Sequence, residues 1–177
     1  MIWLIAIALG LVFGLVTGGS IGRLSKLSFR WPWLIVAVVL IREAVLLTPL
    51  GKVAGARYIY VAALLAIIAW VVWHSARVRG IWLVAAGAAL NLIVIVANNA
   101  RMPVAPELAG AVLPRSNPGL YTLMGSQTNL NILGDWIRLG PIPEAYSVGD
   151  VLIALGLAIV VFLAVRNTPP YKELTPP

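Results

Sequence analysis

The sequence predicts an all-α integral membrane protein, and two observations carry this prediction. Of the 177 residues, 61% are hydrophobic and 11% are charged, whereas soluble domains carry about a quarter charged residues. The apolar residues also form long continuous runs. A soluble domain of this length could not bury that much apolar surface away from water. We therefore expect a membrane-embedded bundle in place of a soluble core.

Five apolar runs set the expected architecture. Each approaches the length that crosses a hydrocarbon core of about 30 Å at a helical rise of about 1.5 Å per residue. Backbone amides in lipid must be paired within their own segment, and the runs lack the alternating polar positions of a barrel strand. The sequence thus predicts one transmembrane domain over 1–166, a five-transmembrane-helix bundle with helices at about 2–17, 33–50, 58–73, 81–97 and 151–165.

The first run is predicted to be a retained helix. It has no positively charged segment before it and no A-x-A cleavage pattern near its end, so it does not resemble a removable signal peptide.

Basic residues predict the orientation, because Lys and Arg in short loops are retained on the cytoplasmic side. The side assigned to the cytoplasm carries Arg23, Lys26, Arg30, Arg77, Arg79, Arg166 and Lys172. The outer side carries Lys52, Arg57, Arg101, Arg115 and Arg138. Tryptophans 31, 33, 73 and 82 lie at the inferred cytoplasmic boundary of the membrane, because indole rings favour the level of the lipid headgroups. The expected N-terminus is outside and the C-terminus is cytoplasmic.

The segment 98–149 is too long for a simple connection. We expect an ordered extracytoplasmic loop, with a short helix over 107–112 and an interfacial or re-entrant stretch over 120–137. The proline-rich tail 167–177 is expected to be extended on the cytoplasmic side.

The composition also excludes several kinds of catalytic and metal-binding site. The chain has no cysteine and one histidine, so disulfides, thiolate nucleophiles and cysteine-ligated metals are excluded, and no metal or cofactor is expected. His74, near the end of the third helix, is assigned an ordinary helix-terminal role. The net charge of +7 is scattered between apolar runs, so the expected partners are the lipid bilayer and other membrane subunits, with no nucleic acid.

Gly10, Gly14 and Gly18 lie four residues apart, on one face of the first helix. This small-residue spacing lets helices approach closely in lipid. The partner is expected to be a helix of the same chain, with a helix of another subunit as the alternative.

Arg42 and Glu43 lie well inside the second helix, where charge is costly unless it is paired or hydrated. Neighbouring residues project about 100° apart, so we expect them not simply to neutralise each other. Asn91 is expected at a similar depth on the fourth helix, giving a possible intramembrane polar cluster of Arg42, Glu43 and Asn91. The favoured interpretation is that Arg42 extends to the outer headgroups and Glu43 follows a water-lined groove, with a proton or substrate pathway as the alternative.

Asp135 and Asp150 could form an acid and base pair that activates water. The favoured interpretation is structural: Ser147 and Asp150 have the spacing of a helix-capping box. Asp135 is expected to pair with Arg138 or Arg101.

The segments NNARMPV, LGDWI and YSVGDVLIALG occur in order and resemble a family of small bacterial polytopic membrane proteins of unknown function, in which the first segment commonly reads NGGRMPV. The resemblance implies a multi-pass protein of the bacterial cytoplasmic membrane with an ordered outer loop. The motif residues here are Asn98, Asn99, Arg101, Pro103, Asp135, Ser147 and Asp150. The chain departs from the family at Asn99 and Ala100, where a glycine pair is common.

YSVGDVLIALG is also similar to the aspartate-containing segment of lipoprotein signal peptidases. This resemblance implies that Asp150 and Asp135 are catalytic. The chain departs from that family in helix number and in lacking counterparts of its other motifs.

Three functions follow as hypotheses. The leading one is a non-enzymatic membrane subunit or scaffold that presents the loop to a partner protein. The alternatives are a membrane-embedded aspartic hydrolase, using Asp135 and Asp150, and a small transporter or lipid-handling protein, using Arg42, Glu43 and Asn91.

Overall fold

The computed structural model describes residues 1–26, 29–53, 55–115, 117–140 and 144–166. The predicted tail 167–177 lies outside these residues. The described part contains six α-helices and four short strands. The helices are α1 Ile2–Val16, α2 Pro32–Leu47, α3 Ala56–Ser75, α4 Ile81–Ala97, α5 Pro106–Val112 and α6 Val148–Val165.

Each of the five apolar runs contains a helix, with boundaries that local chemistry adjusts. The predicted end of α2 at residue 50 is wrong, because Thr48 precedes Pro49 and is extended, with φ −118° and ψ 166°. A residue before proline is disfavoured in the helical region. The chain continues from Pro49 to Lys52 as a 3₁₀ turn. α6 begins three residues earlier than predicted because Ser147 caps it.

Two helices, α3 and α6, are long and apolar enough to cross a membrane, with 20 and 18 residues. α1 and α4 are apolar but shorter, with 15 and 17 residues.

The described residues of the long loop, 98–147 between α4 and α6, form strands as well as helical turns. β1 (Met102–Val104) pairs in parallel with β2 (Tyr121–Leu123), and β3 (Ile137–Arg138) pairs antiparallel with β4 (Ala145–Tyr146). The all-α prediction is therefore corrected by two small sheets. The predicted short helix is present as α5, while the stretch 120–137 forms β2, turns and the start of β3.

Glycines allow α6 to pack closely between α1 and α4. A Cβ on Gly10 would collide with the backbone of Ala158, and one on Gly14 would press on Val165. The predicted glycine face of α1 therefore packs within the chain. Gly18 is different: it has φ 89° and no neighbour within 4 Å, so it serves the turn after α1.

The α4 side of α6 uses glycines that the sequence analysis did not single out. A Cβ on Gly87 would meet the carbonyl of Gly149, and one on Gly156 would meet Val84 at 2.7 Å. This close approach sets the distance between the start of α6 and the polar residues of α4.

The helices surround a central space. α1 packs on α6, α6 on α4, α4 on α3 and α3 on α2, but among the described residues α2 does not pack along α1. The ring is completed near the long loop by the guanidinium of Arg42, which lies 6.0 Å from the ring centre of Trp3.

Candidate ligand-binding site

The space inside this ring is a cavity of about 220 Å³, here called the central cavity. Each of the five long helices lines it, through residues that include Trp3, Arg42, Leu64, Ala88 and Ile153. Met102, Leu120, Tyr121 and Asp135 of the long loop also line it. The loop therefore contributes directly to the wall of the cavity.

Polar groups converge on the central cavity next to an otherwise apolar lining. The apolar wall includes Val39, Leu64, Ile67, Val84, Ala88 and Ile153. A cavity with an apolar wall and a few convergent polar groups is the usual form of a small-molecule site.

Arg42 and Glu43 form an ion pair with each other, which corrects the expectation that neighbouring positions on a helix would not do so. The Arg42 side chain is long enough to fold back to the next residue while its second terminal nitrogen donates to the Tyr60 hydroxyl at 3.2 Å. Arg42 also lies 5.3 Å from the ring centre of Tyr60. The cation is thus held by α2 and α3 together.

Asn91 belongs to a second polar group. Its amide nitrogen donates to Asp150 Oδ1 at 3.0 Å, and its oxygen accepts from the Ser147 hydroxyl at 2.7 Å. Glu43 and Asn91 line the same cavity, but their hydrogen bonds go to different partners. The predicted cluster is therefore two groups that face one space.

Ser147 and Asp150 form the predicted capping box at the start of α6. The Ser147 oxygen accepts from the Asp150 amide at 2.9 Å, and Asp150 Oδ2 accepts from the Ser147 amide at 3.1 Å. With Asn91 on Oδ1, both oxygens of Asp150 have fixed donors. The chain thus uses this aspartate to join α4 to the first turn of α6.

Asp135 is placed differently. Its backbone is fixed beside β1, with its amide donating to Pro103 O at 2.8 Å and its carbonyl accepting from Ala105 N at 2.9 Å. Its side chain is 6% exposed, and its Oδ1 has no hydrogen-bond partner among the described residues. The described residues form two ion pairs, Met1 with Glu144 and Arg42 with Glu43, so the expected pairing of Asp135 with Arg138 or Arg101 is wrong.

Burial raises the pKa of Asp135 well above its usual range, and the nearby Asp150 carboxylate raises it further. Tyr121 lies beside it on the cavity wall, and burial likewise raises the pKa of its phenol. A buried carboxyl without a hydrogen-bond donor is costly to the fold, so its presence on a cavity wall is typical of a functional site.

Trp3 supplies a second unpartnered polar atom. Its buried Nε1 has no hydrogen-bond acceptor among the described residues. Sequence reasoning missed Trp3, because a tryptophan near the start of an apolar helix indicates only a membrane boundary. Its proximity to Arg42 depends on helix packing that no local pattern encodes.

A second cavity of about 360 Å³, here called the mouth cavity, shares six residues with the first. They are Trp3, Arg42, Glu43, Tyr121, Asp135 and Asp150. Its remaining lining includes Met1, Glu144 and Tyr146, and burial raises the pKa of Tyr146 to about 12. The two unpartnered atoms therefore belong to residues that line both cavities.

The other motif residues of the long loop hold its shape. Asn98 is buried and bonds to Val94 O at 2.8 Å and to the backbone of Asn129 at 2.8 and 2.9 Å. Pro103 is fully buried under the loop, and Arg101 is exposed beside a small polar cavity. Asn99 and Ala100 have φ values of 57° and 60°, a backbone region that glycine adopts at no steric cost.

His74 is part of the packing at the opposite end of the helices. Its Nε2 accepts from the Arg30 amide at 3.1 Å, so Nδ1 carries the proton that is donated to Trp70 O at 2.8 Å. Both ring nitrogens are thus used by the backbone. Among the described residues, no group of three or more His, Asp or Glu side chains is placed to hold a metal ion.

The fold and site define a helical bundle with a central cavity, to whose wall described residues of the long loop contribute. The chain belongs to DUF5317, a family of unknown function, whose model matches residues 26–162. No curated protein and no solved structure matches the chain.

Proposed function

We propose that this chain is a multi-pass membrane protein that binds an amphipathic small molecule in the central cavity. The observation that carries the proposal is the pair of unpartnered buried atoms, Asp135 Oδ1 and Trp3 Nε1, on residues that line this cavity. The proposal develops the lipid-handling hypothesis and assigns its polar contacts to Asp135 and Trp3, beside the ion pair of Arg42 with Glu43.

The outward faces of the helices favour a membrane location. Large apolar side chains are exposed on all five long helices, including Phe13, Leu40, Leu65, Ile93 and Leu155. Helices that are apolar all round require burial in a large protein or in lipid. We propose that α1, α2, α3, α4 and α6 all cross the bilayer, the shorter ones extended by their flanking turns.

The distribution of aromatic and basic residues favours the predicted orientation. Trp31, Trp33, Trp73 and Trp82 are exposed near the helix ends remote from the long loop. In this orientation, the long loop and the polar end of the cavity lie on the extracytoplasmic side of the bacterial cytoplasmic membrane.

The gap between α1 and α2 gives an apolar ligand a lateral path. Val39 lines the central cavity and is nevertheless 38% exposed. A molecule dissolved in the bilayer could enter between these helices with its chain on the apolar wall and its polar end beside Asp135. Such a route requires no passage of the apolar chain through water.

Filling the central cavity tests the proposal. Ala88→Phe places a phenyl ring on the cavity wall, and Ala62→Phe adds the same ring to an exposed face of α3. Native mass spectrometry of protein purified with its co-extracted lipid should show a bound small molecule in the natural chain and in Ala62→Phe, but not in Ala88→Phe. Equal occupancy in both variants, at equal melting temperature, would overturn the proposal.

A membrane subunit that presents the long loop to a partner is a second candidate. It is favoured by exposed apolar side chains on this loop, among them Leu123, Leu130, Ile132 and Trp136. Purification in a mild detergent tests it: a stoichiometric second polypeptide, lost on Ile132→Ser, is the expected result, and a lone monomer would contradict it.

The hydrolase hypothesis receives less support, because the cap and Asn91 engage both oxygens of Asp150. If Asp150 is a capping residue, Asp150→Asn lowers stability modestly. An abundant, fully stable Asp150→Asn protein without activity in vivo would instead favour catalysis.

A further inference from the structure

We propose that the ligand of the central cavity carries a cationic amine, held by Asp135, and a neighbouring oxygen acceptor, held by the Trp3 indole N–H. This inference rests on the proposed function and names the head group of the same ligand. It follows from the charges, donors and acceptors that the cavity leaves unmatched.

The cavity wall has an excess of carboxylates. Its charged side chains are Glu43, Asp135 and Asp150 against the single guanidinium of Arg42. Arg42 is paired with Glu43, and Asp150 is held by neutral donors. Among the described residues no cation pairs with Asp135, and a ligand ammonium supplies both the charge and the hydrogen-bond donor that Oδ1 lacks.

An anionic head group would fit this wall poorly. It would face two carboxylates without an available cation, and like charges in a poorly solvated site repel strongly. A simple alcohol could donate to Asp135 but, unlike an ammonium, it would supply no charge to stabilise the ionised carboxylate. The amine is the head group that meets both requirements.

Trp3 adds the second requirement. Its indole nitrogen is a donor and never an acceptor, so the ligand must also present an oxygen or similar acceptor within the same cavity. An amino alcohol and an ethanolamine phosphate both have this arrangement. The first would come from a free amphiphile and the second from a lipid head group.

Because Asp135 is titratable, the proposal predicts that the affinity for the ligand depends on pH. Asp135 must lose its proton to pair with an ammonium, and binding therefore releases a proton from the free protein. The other titratable or charged groups that line the two cavities with Asp135 are the Met1 N-terminus, Arg42, Glu43, Tyr60, Tyr121, Glu144, Tyr146 and Asp150. Affinity for an amine should rise with pH until Asp135 is ionised in the free protein, while affinity for an alcohol should not rise.

The first experiment measures binding of dodecylamine and dodecanol to the protein in detergent between pH 5 and 8. Asp135→Asn should weaken dodecylamine binding by about 10- to 100-fold, as expected for loss of a charged hydrogen bond, and should remove its pH dependence. Dodecanol binding should change little. Glu107→Gln removes an exposed carboxylate of the same loop and should behave as the natural chain.

The second experiment separates the two ligand sources. Native mass spectrometry from nanodiscs that contain equal phosphatidylethanolamine and phosphatidylglycerol should show retained phosphatidylethanolamine if the ligand is a lipid. Trp3→Phe replaces the indole by a phenyl ring and so removes the N–H; it should reduce phosphatidylethanolamine retention and leave dodecylamine affinity unchanged. Tight dodecylamine binding without lipid retention assigns the site to a free amphiphilic amine.

The outcomes distinguish this inference from the proposed function. Equal binding of dodecylamine and dodecanol, both abolished by Ala88→Phe, would overturn the amine head group and leave the ligand cavity in place. An unchanged dodecylamine affinity in Asp135→Asn would do the same. Binding of both probes to Ala88→Phe as tightly as to the natural chain would overturn the proposed function itself.

Discussion

Replacing Asp135 by asparagine should stabilise the protein at neutral pH. The substitution keeps the shape of the side chain and removes an ionisable group that is 6% exposed and whose Oδ1 has no hydrogen-bond partner among the described residues. Most substitutions of buried residues destabilise a protein. A stabilising effect is expected here, because the Asp135 carboxyl lacks a hydrogen-bond donor for Oδ1 among the described residues when no ligand is bound.

The pH dependence fixes the sign of the effect. The pKa of Asp135 is higher in the folded protein than in the unfolded chain, where it is about 3.9. Its favourable contribution is therefore complete below the unfolded pKa and is lost as pH rises toward the folded pKa. Over that interval the natural chain should lose up to about 1.4 kcal/mol per pH unit relative to Asp135→Asn.

The size of the effect can be bounded from the site. An unsatisfied buried polar group costs about 1 to 3 kcal/mol, and more when it is charged. For a chain of this length, about 1 kcal/mol corresponds to about 2 to 4 °C in melting temperature. We expect Asp135→Asn to melt several degrees above the natural chain at pH 7 and at the same temperature near pH 4.

The assay is thermal unfolding in one detergent at a series of pH values, with Glu107→Gln as the exposed carboxylate control. A melting temperature for Asp135→Asn below that of the natural chain at pH 7 would refute the reasoning. That result would show that the carboxylate makes a stabilising contact, such as the arginine pairing that the sequence analysis expected.

Three further predictions concern packing, the polar network and orientation. Gly10→Ala should destabilise the folded protein by about 1 to 3 kcal/mol, because its Cβ collides with α6. Gly110→Ala adds a Cβ in open space on a helix and should stabilise the folded protein by about 0.5 to 1 kcal/mol. Chemical denaturation of both variants checks these two predictions. Asn91→Ala should lower stability by about 1 to 3 kcal/mol, because the Ser147 hydroxyl loses its acceptor and Asp150 Oδ1 loses its donor; no change in the melting temperature would refute the bridge. Single cysteines at Ser25 and Gln127, both exposed in this cysteine-free chain, should be labelled from opposite sides of the membrane, and labelling of both from outside would refute the proposed orientation.

Hydrophobic runs were sufficient to locate the five long helices, because their pattern is local. The ends of the helices were less predictable, since single residues such as Thr48 before Pro49 decide them. The capping box of α6 was also readable, because Ser147 and Asp150 are three residues apart and need no tertiary contact. The small sheets of the long loop were missed, since strands of two or three residues have no detectable periodicity.

The candidate site could be predicted only in part. Arg42 and Glu43 were conspicuous because charge is rare within an apolar helix, but their ion pair depends on side-chain conformation. Asn91 lines the same cavity as Arg42 and Glu43, while its bonds to Ser147 and Asp150 depend on how closely α4 approaches α6. That approach is set by Gly87 and Gly149, whose importance no local pattern revealed.

The division of roles between the two aspartates follows from this packing. Close contact of α4 and α6 lets Asn91 reach Asp150, so that the cap of α6 and the wall of the cavity form one hydrogen-bonded unit. Asp135 is fixed as firmly through its backbone, between Pro103 and Ala105, yet its side-chain Oδ1 is left unmatched. A rigid scaffold that holds an unsatisfied group in place is the arrangement that binding sites require. Asp135 is expected to lower the stability of the ligand-free protein. A ligand that donates a hydrogen bond to its carboxyl should restore that stability.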